Sequence, residues 1–187
     1  MTAAEMLSVA AFLEGKHAQA FPSFGSERMG APVVSFCRIS DHEIRLRDPV
    51  FEPDALIIQD PTLLQSPDLF NGLKSDGFVL INSVHDVGTL GINSIIERLP
   101  CGHVLTVPAT ELALKHFKRP MPNAAMLGGL AALAGVIKLD SVTKAISETF
   151  AGAIGQANVA AAMESYDCVI GKRGTCCPDK HKEAIAC

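Results

Sequence analysis

Hydrophobic positions along this chain switch period several times, and the switches mark out its elements. Residues 2–14 (TAAEMLSVAAFLE) place Met6, Leu7, Ala10, Ala11 and Leu13 on or near one helical stripe, and Gly15 is a plausible stop. The segment 33–39 (VVSFCRI) reads as a strand. In 43–47 (EIRLR) Ile44 and Leu46 alternate with charged residues, which predicts a second strand with one wet face. With Ser40-Asp41-His42 between them, the two predict an antiparallel hairpin at a sheet edge, His42 being a solvated turn residue. Three short apolar runs follow: 55–59 (ALIIQ), 78–82 (FVLIN) and 103–107 (HVLTV). Runs of this length fit strands buried on both faces. A broken helical stretch at 61–73 and a helical one at 92–98 separate them.

Beyond 108 the pattern becomes helical to the end. Helices are expected over 109–118, 124–136, 140–150 and 154–168, with the rigid break Arg119-Pro120-Met121-Pro122-Asn123 before the second. Gly128-Gly129 sits in the middle of the very apolar 124–136. Glycine inside a helix costs about 1 kcal/mol against alanine, so the pair predicts close backbone packing. His116 is expected to be partly buried or capping. Strands alternating with helices imply an α/β fold: three layers, a mostly parallel sheet, an antiparallel edge hairpin and a helical C-terminal part. One domain over residues 1–170 and a Cys-rich tail over 171–187 are expected. In an open parallel sheet, ligands sit at the carboxyl ends of the strands. The candidates there are Gln59, Asp60, Asn82, Ser83 and Pro108 to Thr110, although Asn82 and Ser83 would equally serve as caps of the next turn.

Composition narrows the function classes. The chain has 187 residues, 48% apolar and 19% charged, enough for one hydrophobic core. A net charge of −4 argues against nucleic acid and against an anionic membrane surface as partners. No apolar run reaches the roughly 18 residues that span a bilayer, and the start has no basic region ahead of an apolar stretch, so a cytoplasmic protein is expected. Cys37 and Cys101 read as small buried hydrophobes. Cys168, Cys176, Cys177 and Cys187 crowd the tail without a Cys-x-x-Cys pair, a spacing that suits oxidisable thiols better than a metal site. Walker A, G-x-G-x-x-G, G-x-S-x-G and H-E-x-x-H motifs are all missing, and no catalytic residue is assigned.

The densest stretch is Phe21 to Pro32, FPSFGSERMGAP. Its glycines, Gly25 and Gly30, permit backbone conformations closed to other residues, and Pro22 and Pro32 fix its entry and exit. With FPSFGSERMGAPVVSFCRI, the stretches DPVFEPDALIIQDPTLL and VPATELALKHFKRPMPNAAMLGGLAALAG carry a resemblance. From about residue 2 to 165 the chain resembles the gamma subunit of pyruvate-type 2-oxoacid:ferredoxin oxidoreductases. Family members open with a short strand and a G-x-G-G-Q-G loop, whereas this sequence starts at Met1-Thr2-Ala3-Ala4; a natural start upstream is expected.

The resemblance implies a complex that joins a 2-oxoacid, coenzyme A and oxidised ferredoxin, giving acyl-CoA, carbon dioxide and reduced ferredoxin. Thiamine diphosphate and iron–sulfur clusters would be held by alpha, beta and delta subunits, with ferredoxin or flavodoxin as electron partner. This chain would bind no cofactor alone and would not be catalytic alone. Ser23, Gly25, Ser26, Arg28 and Gly30 become a candidate loop for coenzyme A at the active-site entrance, Arg28 offering a fixed fork of donors to a phosphate or a partner carboxylate. The alternative is that Glu27 and Arg28 only pin the loop to a neighbouring subunit. Two other functions stay open: the small subunit of an indolepyruvate or 2-oxoglutarate enzyme, and a free-standing α/β ligand-binding module.

Overall fold

The computed structural model describes residues 2–23, 33–66 and 68–176. Helix α1 (Thr2–Leu13) buries Ala3, Ala4, Met6, Leu7, Ala10 and Ala11. Leu13, expected on the buried stripe, is instead exposed with Phe12 beside it. Gly15 ends the helix at φ +77°. The Lys16 amide reaches back to Ala11 O at 3.1 Å, a closure that needs this left-handed residue.

The chain then does something the apolar pattern does not announce. Residues expected as a lead-in and the start of a loop form strand β1 (His17–Ser23), antiparallel to β2 (Val34–Ser40), with His17 opposite Ser40 and Ser23 opposite Val34. The hairpin therefore joins 17–23 to 34–40 as a separate two-stranded sheet, and 43–47 forms no strand. The alternation in EIRLR reflects a strap held by side chains. Arg38 donates to Leu46 O and Pro49 O, both at 3.3 Å, and Gln19, with its amide turned to suit its neighbours, donates to Leu46 O at 2.7 Å. Arg38 also lies 5.9 Å over the Phe21 ring, itself 5.5 Å from the ring of Phe36 directly opposite.

Strands β3 (Ala55–Ile58), β4 (Phe78–Asn82) and β5 (Val104–Val107) form a parallel sheet in that order. On one face Leu80, Leu105 and Val107 meet the helices; on the other Ile58, Val79, Ile81 and Val104 pack with Phe70, Leu73, Ile92 and Leu99. That is the expected three-layer arrangement. The β3 run is only half-buried until Ile58, whereas β5, at the other end of the strand order, is buried throughout. Between β3 and β4 the expected broken helix is a 3₁₀ turn over Pro61–Gln65, capped by Asp60. Ahead of β5 stands the short α2 (Asn93–Arg98).

Four helices complete the fold: α3 (Ala109–Phe117), α4 (Asn123–Ala134), α5 (Leu139–Thr149) and α6 (Gly152–Cys176). Helix α4 is buried all round except at its ends, and α6 lies against it. A Cβ on Gly128 would stand 2.0 Å from Ala162 O, and one on Gly129 would stand 3.0 Å from the buried Ser165 Oγ, so the expected close packing is present. Helix α6 runs on past the expected end at 168. Its Lys172 donates to Thr106 O and Oγ1, each at 3.0 Å, placing a charge on the outer edge of β5.

Candidate functional site

The carboxyl ends of the parallel strands meet in one polar cluster. Asn82, the last residue of β4, is 8% exposed. Its Nδ2 donates to Gln59 O at 2.9 Å and to Thr110 Oγ1 at 2.7 Å, and its Oδ1 accepts from Thr110 N at 3.1 Å. Gln59 extends the cluster, its Nε2 donating to Asn123 Oδ1 at 2.8 Å in the first turn of α4. The ends of β3 and β4 and the starts of α3 and α4 are thereby fastened together. Asn82 neither faces open solvent nor caps its own following turn; Ser83 does the latter, its Oγ accepting from His85 N at 3.0 Å. Asp60 accepts from the Thr62 hydroxyl at 2.7 Å and the Thr62 amide at 2.9 Å, and these bonds hold its carboxyl below the usual range.

The start of β1 is fastened at the other end of the helical layer. Glu14 accepts from Lys138 N at 2.7 Å, and Lys16 donates to Val136 O at 3.1 Å. Burial works against the Glu14 charge, but the Lys138 amide, the Ser141 hydroxyl and Lys16 together keep its carboxyl below its ordinary value. These contacts sit where α4 has ended, opposite its start at Asn123. From there β1 packs back along α1 and ends at Ser23. Of the five loop residues named from the sequence, Ser23 closes β1; Gly25, Ser26, Arg28 and Gly30, with Glu27, lie outside the described residues.

His116 is partly buried, as expected, but caps nothing. Its Nε2 lies 2.7 Å from Glu164 Oε2, while Lys115 Nζ approaches the same carboxylate at 2.6 Å, tying α3 to α6. The Lys115 and His116 bonds hold the Glu164 carboxyl below its usual range. Cys37 packs against the core, and burial pushes its thiol up to about 12. Cys101, expected to be buried, is exposed. Among the described residues no three His, Cys, Asp or Glu side chains gather as a ligand set, and none of the helices is long and apolar enough to cross a membrane. The Asn82 cluster and the α6 lysine went unread as contacts because partners 23 to 66 residues apart leave no local pattern. The cluster consists of amides and a hydroxyl bonded to one another, and it fastens strand ends to helix starts.

Residues 1–168 match the family model described as pyruvate ferredoxin/flavodoxin oxidoreductase. The chain belongs to this family. Among its relatives, pyruvate synthase subunit PorC of Methanocaldococcus jannaschii is 44% identical over 174 residues, 93% of this chain and 92% of that one. The "pyruvate/ketoisovalerate oxidoreductases common subunit gamma" of Thermococcus kodakarensis is 43% identical over 169 residues, 89% of each chain. Of solved structures, the Thermotoga maritima pyruvate oxidoreductase subunit PORC superposes with a TM-score of 0.72 at 35% identity, covering 89% of this family member and 87% of that chain. A 2-oxoglutarate:ferredoxin oxidoreductase from Magnetococcus marinus shares the fold, with a TM-score of 0.69 at 15% identity, over 92% of this chain and 29% of that one. The α/β family fold expected from the sequence and the observed layers agree.

Proposed function

We propose that this chain is the gamma subunit of a cytoplasmic pyruvate synthase, the pyruvate:ferredoxin oxidoreductase that converts pyruvate and coenzyme A to acetyl-CoA and carbon dioxide while reducing ferredoxin. One observation carries the reading: 44% identity to a pyruvate synthase subunit, spread over nine-tenths of both chains. Thiamine diphosphate and iron–sulfur clusters, held by alpha, beta and delta partners, supply the carbanion and electron chemistry. This chain supplies orientation and access. The amide-and-hydroxyl cluster at the sheet's carboxyl end supports that division of labour, since its groups fasten strand ends to helix starts. A second substrate is favoured by the relatives whose gamma subunit is common to pyruvate and ketoisovalerate oxidoreductases, so the same chain would serve a branched-chain 2-oxoacid enzyme as well.

Within the complex, the loop that begins at Ser23 covers the entrance and holds coenzyme A. Ser23, Ser26 and Arg28 present the polar groups, and Gly25 and Gly30 let the backbone approach. In the assembled enzyme, Arg28→Ala is expected to raise the KM for coenzyme A about tenfold with kcat within about twofold, the loss of one charge-assisted contact. Size-exclusion chromatography of the same variant should show the complex intact. A complex that falls apart would make the loop an intersubunit contact and remove it from the ligand site.

A further inference from the structure

We infer that the layer beneath α2 holds a ligand site: an apolar cavity with Arg98 at its mouth that takes a short-chain carboxylate. The inference depends neither on the role of the loop that begins at Ser23 nor on the reaction of the assembled enzyme.

The sheet face away from α4 and α6 carries its own core, and that core is not completely filled. Between the segment that leads into β4 and helix α2 a cavity of about 90 Å³ remains. Phe70, Leu73 and Leu99 line it and are buried, and the half-buried Ile95 joins them. Ser75 and Arg98 complete the lining; both are exposed, so the polar end of the cavity is the end at the surface. The walls are not free to close on the space. Leu73 is seated on Gly77, where a Cβ would stand 2.7 Å from Leu73 Cδ1. Its backbone is held too, Leu73 N donating to Phe70 O at 3.2 Å and Gly77 N to Lys74 O at 3.0 Å. Across the cavity, Ile95 N donates to the O of the buried Ile92 at 2.9 Å. Walls fixed in this way relax only partly into a void.

Arg98 gives the site its sign. Arg38, Arg45 and Arg173 each spend their donors on a carbonyl or a carboxylate. Among the described residues Arg98 makes no hydrogen bond or ion pair, and neither does the Ser75 hydroxyl. The last turn of α2 suits a cation, but that place uses none of the five guanidinium donors. An apolar cleft with a few polar groups converging at one end is the general form of a small-molecule site. The planar fork of Arg98 matches a carboxylate, and the apolar walls admit no charge deeper in. Volume bounds the tail: a cavity of roughly 150 Å³ takes benzene, so this smaller one suits a branched tail of about four carbons. Inorganic phosphate would leave Phe70, Leu73 and Leu99 unused.

The test is an NMR titration of the full chain, alone or in the whole complex, with isoleucine and leucine methyl groups labelled in this chain. The probe is isovalerate. Shifts of the Leu73, Ile95 and Leu99 methyl signals are expected, with a Kd on the order of 1 mM for so few atoms. Isoamyl alcohol carries the same tail without the charge and is expected to bind about tenfold more weakly. Arg98→Gln should weaken isovalerate about tenfold and leave the alcohol unchanged. Ile95→Phe, which fills the cavity, should abolish the Leu73 and Leu99 shifts with either probe. Three results each overturn the inference: no shift at these residues with isovalerate at about twenty times the expected Kd, equal affinity for acid and alcohol, or shifts that survive Ile95→Phe. The comparison of acid with alcohol uses the wild-type chain, so it decides even where a variant does not fold.

Discussion

Replacing Gly128 with alanine is expected to destabilise the chain by about 3 kcal/mol and to lower its melting temperature by about 10 °C. The added Cβ would stand 2.0 Å from Ala162 O and 2.6 Å from Ala162 C, both of them backbone atoms that no rotamer change can move. Helix α4 has no empty side to retreat to, since Gly128 and its neighbours from Ala124 to Leu133 are all buried. Separating α4 from α6 would also open the contact that Ser165 and Val169 make at Gly129. Gly171, an α6 residue with nothing within 4 Å of its would-be Cβ, is the matched control. Alanine there should stabilise by about 0.5–1 kcal/mol through helix propensity alone. Thermal unfolding followed by circular dichroism measures both. A Gly128→Ala melting temperature within a degree or two of wild type would contradict the packing described.

Gly72→Ala is the second large effect, by another mechanism. Gly72 has φ +76°, and its Cβ would stand 1.8 Å from Phe51 O. Alanine at such a φ costs about 1–2 kcal/mol by itself. Gly91 has nearly the same φ, +73°, and open space around it, so Gly91→Ala reports the conformational cost alone. Gly72→Ala is expected to exceed it by about 2 kcal/mol, because the Phe51 backbone must be pushed away. That backbone leads directly into β3: Asp54 O accepts from Phe78 N at 2.9 Å, and Pro53 O from Lys74 N at 3.3 Å. Limited proteolysis should therefore cut the 41–54 strap faster in Gly72→Ala than in Gly91→Ala. Equal melting temperatures for the two variants would show that the close approach contributes nothing.

These sites also show what was legible in the sequence. Gly128-Gly129 announced close packing because glycine has no other reason to sit inside an apolar helix. The three parallel strands and the helices after 108 were readable from period and length, although β3 is half-buried rather than covered on both faces. The hairpin was not. His17 to Ser23 mixes alanine, glutamine and proline, and β1 is a strand because Phe21 faces Phe36 and α1 covers its other side, a tertiary cause. EIRLR has the strand period without a ladder, its backbone being taken by Arg38 and Gln19. Asn82 was identified by its place at a strand end, but its partners Gln59 and Thr110 lie 23 and 28 residues away, so the clasp was visible only in the fold. The loop from Ser23 to Gly30 stood out through composition, and its role rests on chemistry in the assembled enzyme.

The most direct measurement is purification of this chain from its native cell under anaerobic conditions, with an absorbance spectrum and an assay of pyruvate- and coenzyme A-dependent ferredoxin reduction. The account predicts a brown, multi-chain preparation that reduces ferredoxin only when both substrates are present. A colourless, inactive single chain would contradict it and make the protein a free-standing α/β binding module.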